Sequence, residues 1–119
     1  MALATHQILG KQGEMMAQYH LQQLGLRILK RNLKTKIGEI DILAQDGEDI
    51  VIVEVKTKTS HAFGHPAEMV NYFKQRKLLQ LARLILMDYP NKTVRIDVVA
   101  VDMITIPPSI EYIKNAVTN

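Results

Sequence analysis

Apolar positions along this chain change period several times, and each change marks an element. From Thr5 to about Leu24, small and apolar residues recur at helical spacing through Gly10, Gly13/Glu14, Ala17, Leu21 and Leu24. That stripe predicts a first helix, with Thr5 as its cap and Gly25 as its stop. One carboxylate, Glu14, sits on this otherwise small or apolar face. A period of two then takes over. Leu26 to Lys34, Gly38 to Gln45 and Ile50 to Lys58 predict three strands, with Asp46-Gly47 as the hairpin signal between the second and third. Thr59 to Pro66, containing Gly64, reads as loop. Leu78, Leu81, Ala82 and Ile85 form the apolar stripe of a long second helix over about Ala67 to Tyr89, stopped by Pro90-Asn91. Thr93 to Asp102 predicts a fourth strand, and a short strand or helical turn follows Pro107-Pro108. The order α-β-β-β-α-β predicts an α/β (α+β) fold whose helices cover a mixed central sheet.

Length places all of this in one domain, residues 1–119, large enough to bury a core without staples. With 47% hydrophobic and 23% charged residues the composition is that of an ordinary globular chain, not a disordered or collagen-like one. No apolar run is long enough for a membrane span, and Met1-Ala2-Leu3-Ala4-Thr5-His6 lacks the basic start and apolar stretch of a secretion signal, so a cytoplasmic protein is expected. The absence of cysteine excludes disulfides, thiolate zinc sites and cysteine nucleophiles. Net charge is only +3, but it is unevenly placed. Residues 1–38 carry Lys11, Arg27, Lys30, Arg31, Lys34 and Lys36 against Glu14 alone; residues 39–54 then carry six acids and no base. A second basic cluster follows at Lys56, Lys58, Lys74, Arg76, Lys77 and Arg83. An acidic segment between two basic ones suits a metal-bearing centre flanked by phosphate-binding surface, although charge order alone is more simply read as solvated helix and hairpin faces.

The third strand narrows the choice. Alternation puts Val51, Val53 and Val55 on one face and Ile50, Ile52, Glu54 and Lys56 on the other. A strand that is apolar on both sides is normally buried, so Glu54 and Lys56 emerge together at the end of a core strand. Asp41 interrupts the apolar run of the second strand. A connection made of Asp46-Gly47 would set Asp41 opposite Ile52 and diagonal to Glu54; a loop from Asp46 to Asp49 would set it directly opposite Glu54. Both registers place Asp41, Glu54 and Lys56 on one face. Carboxylates this close repel unless a proton or cation lies between them. Mg²⁺, or Mn²⁺ in its place, suits such oxygen ligands, with Asp41, Glu54 and the Val55 carbonyl as candidate donors. Lys56 would then orient or activate the attacking water or stabilise developing phosphorane charge, and Glu14 could add a further contact. The competing reading is an Asp–Lys–Glu surface network at a strand end.

Asp41, twelve intervening residues, and Glu54-Val55-Lys56 together resemble the PD-(D/E)XK nuclease core. The longer pattern of Gly13-Glu14, Gly38-Glu39-Ile40-Asp41, Val53-Glu54-Val55-Lys56-Thr57-Lys58, Phe63-Gly64 with Pro66, Lys74-Gln75 and Asp97-Val98-Val99-Ala100-Val101 resembles the bacterial YraN family, which is similar to archaeal Holliday-junction resolvases. The resemblance covers about residues 10–102 and implies a restriction-endonuclease-like fold. It implies Glu14, Asp41, Glu54 and Lys56 as the active-site set of a Mg²⁺-dependent endonuclease acting on DNA, branched DNA included. Similar resolvases are dimers, which makes a homodimer an expectation. Two positions depart from the family pattern: Ile42-Leu43 follows the aspartate where Leu-Ile is commoner, and Lys58 stands where Arg is commoner, weakening any bidentate phosphate grip there. The alternatives are a non-catalytic nucleic-acid-binding accessory module on the same fold, and a protein-interaction domain with structural charges.

Extending the core stripe of the second helix back one turn gives Lys74 and Gln75, candidates for contact with a phosphate near the strand-three charges. Arg31, Lys34 and Lys36 on the first-strand edge, with Lys11 and Lys58, are further candidates for the DNA backbone. Arg76, Lys77 and Arg83 read as a solvated face. His61 and His65 have zinc-like spacing but fall in a loop with no third ligand nearby. Aromatics at 5%, without Trp, argue against a protein built to bind single strands by stacking.

Overall fold

The computed structural model describes residues 5–59 and 70–118. Helix α1 (Thr5–Gln23) ends as its sequence dictates. Gly25 takes φ +92°, the Gly25 amide donates to Gln22 O, and the Leu26 amide reaches back to Leu21 O at 3.0 Å. This is a Schellman closure, and it turns the chain so that Leu26 is buried with Leu21. The same closure removes Leu24 from the helical stripe: it is exposed, where the periodicity had counted it as a core position.

Strands β1 (Arg27–Lys34), β2 (Glu39–Asp46) and β3 (Asp49–Lys58) form an antiparallel meander. Asp46 pairs with Asp49, so Gly47-Glu48 is a two-residue turn, with Gly47 supplying a φ of +59° at its first position. Helix α2 (Tyr72–Asp88) crosses over to β4 (Thr93–Asp102), which runs parallel to β3. The closing segment is a strand, β5 (Ser109–Ile113), antiparallel to β4. The resulting sheet has the spatial order β1-β2-β3-β4-β5.

The second helix begins later than its periodicity suggests. Val70 and Asn71 lie outside it, and Asn71 is its cap: its backbone is extended and its Oδ1 accepts from the Lys74 amide at 2.9 Å. The preceding residues 67–69 lie outside the described residues, as does most of the expected Thr59 to Pro66 loop.

Both faces of the sheet are covered. Ala17 and Leu21 of α1 pack on Val51, Val53, Val55, Val99 and Val101, whereas Leu78, Leu81 and Ile85 of α2 pack on Leu43, Ile50, Ile52, Ile96 and Val98. This two-sided burial is why β3 is apolar on both faces. At Gly13, α1 approaches β3 so closely that an added Cβ would overlap Thr57 Oγ1 and lie 3.0 Å from Thr57 Cγ2.

A charged network unforeseen from sequence closes the end of the sheet near the β2–β3 turn. Asp97 is fully buried and is held by the Arg95 guanidinium, the Tyr112 hydroxyl and the Asn115 amide. Arg95 also bonds Asp46 at 2.7 Å and Asp49 at 2.8 Å. A buried carboxylate tolerates this position because donors from three directions satisfy it. Among the described residues no helix is long and apolar enough to cross a membrane.

Candidate functional site

The β2–β3 ladder stops at the pair Ile42 and Val53. Continuing that register by one step sets Asp41 opposite Glu54, the second of the two registers expected from the sequence, though reached with a shorter turn. Here β2 turns over: Ile40 packs with the α2-side core and Ile42 with the α1-side core, although they are two residues apart. On the neighbouring strand, Leu33–Ile40 and Arg31–Ile42 pairs bracket Asn32, which has a φ of +50°. An irregularity of this kind re-aims a side chain and ends a ladder. Asp41 uses it to bring Oδ2 to 2.9 Å from the Val55 amide, which it accepts in place of a backbone carbonyl. Because the N–H and C=O of one strand residue point to the same edge, the Val55 carbonyl leaves β3 beside Asp41, beyond the last ladder pair.

Glu54 is buried, at 5% exposure, on the α2 side of the sheet. Two cations reach its Oε1: Lys74 Nζ from α2 at 3.3 Å and Lys56 Nζ from β3 at 3.6 Å. Lys74 sits where the core stripe of α2 runs out one turn before Leu78, as its spacing implied. Glu14 approaches from α1, placed by the Gly13 contact with β3. With Lys11, Gln18, Arg31, Asn32 and Asp41 it borders a cavity of about 170 Å³.

The electrostatics of these carboxylates share one direction. Burial pushes Glu54 above the ordinary glutamate value, with Asp41 adding to the rise and Lys74 and Lys56 opposing it. Asp41 is likewise raised, by burial first, against the lowering effect of its bond from Val55 and of the two lysines. Glu14 is raised by burial and then by Asp41, with Lys11 opposing. Burial thus costs these carboxylates more than their neighbouring cations return. Among the described residues no three His, Cys, Asp or Glu side chains already converge as a metal cage. The oxygen groups that could hold a hard divalent ion keeping several waters are Asp41, Glu54 and the Val55 carbonyl.

The remaining candidates divide. Lys11 and Arg31 border the Glu14–Asp41 cavity. Lys34 and Lys36 are exposed around the β1–β2 turn, which Thr35 pins by accepting from the Ile37 and Gly38 amides and donating to Gly38 O. Lys58 is half-buried at the end of β3. Gln75 does not join the charges: it is exposed and its Nε2 donates to Val70 O at 2.9 Å, tying down the entry to α2. Lys77, read from sequence as solvated face, lays its stem over Gly38, so that a Cβ there would stand 2.6 Å from Lys77 Cε. The missing side chain at Gly38 was the available signal for that approach. His61, Phe63, Gly64, His65 and Pro66 lie outside the described residues.

A family model described as "Uncharacterised protein family UPF0102" matches residues 13–101, a span that contains every carboxylate of the cluster. A UPF0102 protein of Thermodesulfovibrio yellowstonii is 46% identical over 112 residues, covering 91% of this chain and 94% of the relative. One from Vibrio campbellii is 40% identical over 121 residues, covering 99% and 98%. Among solved structures, one titled "Structure of EndoMS-dsDNA2 complex" matches with a TM-score of 0.50 at 20% identity. The match covers 81% of this chain and 36% of that one, so the chain spans about a third of the protein it resembles. With its mixed five-stranded sheet and flanking helices, the fold is restriction-endonuclease-like.

Proposed function

The chain belongs to uncharacterised protein family UPF0102, the YraN family, and on that premise we propose that it is a metal-dependent endonuclease hydrolysing phosphodiester bonds in DNA, branched DNA included. The observation that carries the reading is the meeting of half-buried Asp41 and buried Glu54 with Lys56 where the β2–β3 ladder ends. Asp41, Glu54 and the Val55 carbonyl would hold Mg²⁺ or Mn²⁺. Such an ion would supply charge neutralisation at a phosphodiester and a more acidic water.

The chain's own groups account for the rest. Lys56 donates to the attacking water or to oxygen charge developing on the phosphorus. Lys74, freed from Glu54, reaches a non-bridging phosphate oxygen. Glu14 orients a water in the cavity it shares with Asp41. Lys11, Arg31, Lys34, Lys36 and Lys58 contact flanking phosphates, which position the DNA without reading its sequence. Cytoplasmic location and a homodimer that nicks two strands belong to the same proposal.

The experiment is metal-dependent cleavage of DNA by wild-type protein, Asp41→Asn and Lys56→Ala; persistence of cleavage in both variants would refute the assignment. One observation favours a second reading. Lys74 and Lys56 already pair with Glu54, as they would in a non-catalytic nucleic-acid-binding module. Salt-dependent DNA binding that survives Glu54→Gln, with no cleavage under any metal, would select that module.

A further inference from the structure

The first turn of α2 carries two large aromatic side chains that contribute nothing to the core. Tyr72 is 63% and Phe73 81% exposed, and they precede Lys74, whose ammonium lies 3.3 Å from Glu54. In a chain with two Phe and four Tyr, an adjacent exposed pair makes a local apolar patch available for contact. Their positions are fixed. Asn71 caps the turn, the rings meet edge to face at 5.9 Å, and Arg76 holds Tyr72 twice, by a bond to its hydroxyl at 3.1 Å and by stacking its guanidinium 5.8 Å from the ring centre.

Helical spacing sets the direction of Phe73. It lies one turn before Lys77 on the same flank of α2, and Lys77 rests on Gly38 at the β1–β2 turn. That turn leads into Glu39 and Asp41, so Phe73 projects on the side of the helix nearest the carboxylate cluster. The two aromatics are followed by Lys74, Arg76 and Lys77, and the helix carries no acid before Asp88. Apolar ring faces beside a run of cations match the two surfaces of a nucleic-acid strand, base and phosphate.

We infer that, in a chain otherwise poor in aromatics, Phe73 braced edge-on by Tyr72 forms a local stacking platform for unpaired bases, so that the preferred DNA has bases out of the helix beside the scissile phosphate. This rests on the nuclease reading above and narrows its substrate to forked, flapped or branched DNA over continuous duplex. Paired bases present only their edges to such a platform, whereas an unpaired base presents a face.

The test compares binding of a forked DNA with unpaired arms and a paired duplex of equal length, in EDTA so that nothing is cut. A 2-aminopurine at the first unpaired position reports stacking. Wild type should prefer the fork. Phe73→Ala should weaken fork binding by about tenfold, leave duplex binding within about twofold and abolish the 2-aminopurine quench, with Phe73→Trp restoring all three. An unchanged fork-to-duplex ratio in Phe73→Ala would overturn the inference while leaving cleavage, and the nuclease reading, intact. Conversion of a wild-type dimer to monomer by Phe73→Ala would also overturn it, by assigning the rings to a second copy. Failure of wild type to bind any DNA at low salt would sink both.

Discussion

Substituting Gly13 by alanine should change sign with the residue at position 57. Gly13 lies inside α1, where alanine is favoured over glycine by about 1 kcal/mol. The gain is available only if the methyl group has space. In the wild type it would overlap Thr57 Oγ1, with Cγ2 at 3.0 Å and Cβ at 3.2 Å. Exchanging one branch of Thr57 for the other by rotation leaves a contact, and β-branched side chains are stiff at χ1. Overpacking of this kind costs about 1–3 kcal/mol, so Gly13→Ala alone should lower stability by up to about 2 kcal/mol. In a Thr57→Ala background both branches are gone and only the 3.2 Å contact remains, which a few tenths of an ångström relieve. There the same substitution should stabilise, by up to about 1 kcal/mol. Urea denaturation of the four proteins, followed by circular dichroism, measures the cycle; a coupling of about 1–3 kcal/mol is expected. Stabilisation by Gly13→Ala in the wild-type background, or an equal loss in both, would refute the close approach that positions Glu14.

Three other outcomes are expected. Asp41→Asn keeps an oxygen acceptor for the Val55 amide and removes a half-buried, partly desolvated charge, so the metal-free variant should melt above wild type at neutral pH. Asp41 and Glu54 are raised when folded; the folded state therefore binds protons more tightly, and the penalty, full above the folded values, disappears as pH falls to the unfolded ones. The Asp41→Asn advantage should accordingly shrink on acidification and vanish below 3.8, and an advantage that grows toward acid would contradict it. Millimolar Mg²⁺ should raise the wild-type melting temperature at neutral pH, by the equivalent of about 2.7 kcal/mol at a hundredfold excess over Kd, and leave Asp41→Asn unchanged; equal shifts in both proteins would place the ion elsewhere. Arg95→Met strands the fully buried Asp97 carboxylate and should cost about 3–5 kcal/mol in urea titrations; a loss under 1 kcal/mol would show that Tyr112 and the Asn115 amide suffice.

The parts of the site legible in the sequence were those fixed by parity. The period of two along β2 and β3, joined by an even loop, put Asp41, Glu54 and Lys56 together whichever loop length was chosen. Lys74 followed from the 3.6-residue stripe that continues at Leu78, Leu81 and Ile85. Parity could not show that β2 turns over at Asp41, because that depends on Asn32 across the sheet and an extra β1 residue between Ile28 and Lys30. Nor did it reveal that Asn71 caps α2 and that Gln75 folds back to Val70, since local hydrogen bonds override a stripe. The Arg95–Asp97–Tyr112 network assembles from β4, β5 and the β2–β3 turn, and its members become neighbours only once the sheet is closed.

Cleavage itself tests the central claim most directly. Wild-type and Lys56→Ala proteins would be incubated with duplex, single-stranded, flap and four-way-junction DNA, with Mg²⁺, Mn²⁺ or EDTA. The account predicts cuts that need the metal, favour DNA with unpaired or branched segments, and are lost in Lys56→Ala, which should remain folded because Lys56 is half-buried and Lys74 still pairs with Glu54. Intact DNA on every substrate with folded wild-type protein, or equal cutting by Lys56→Ala, would contradict it.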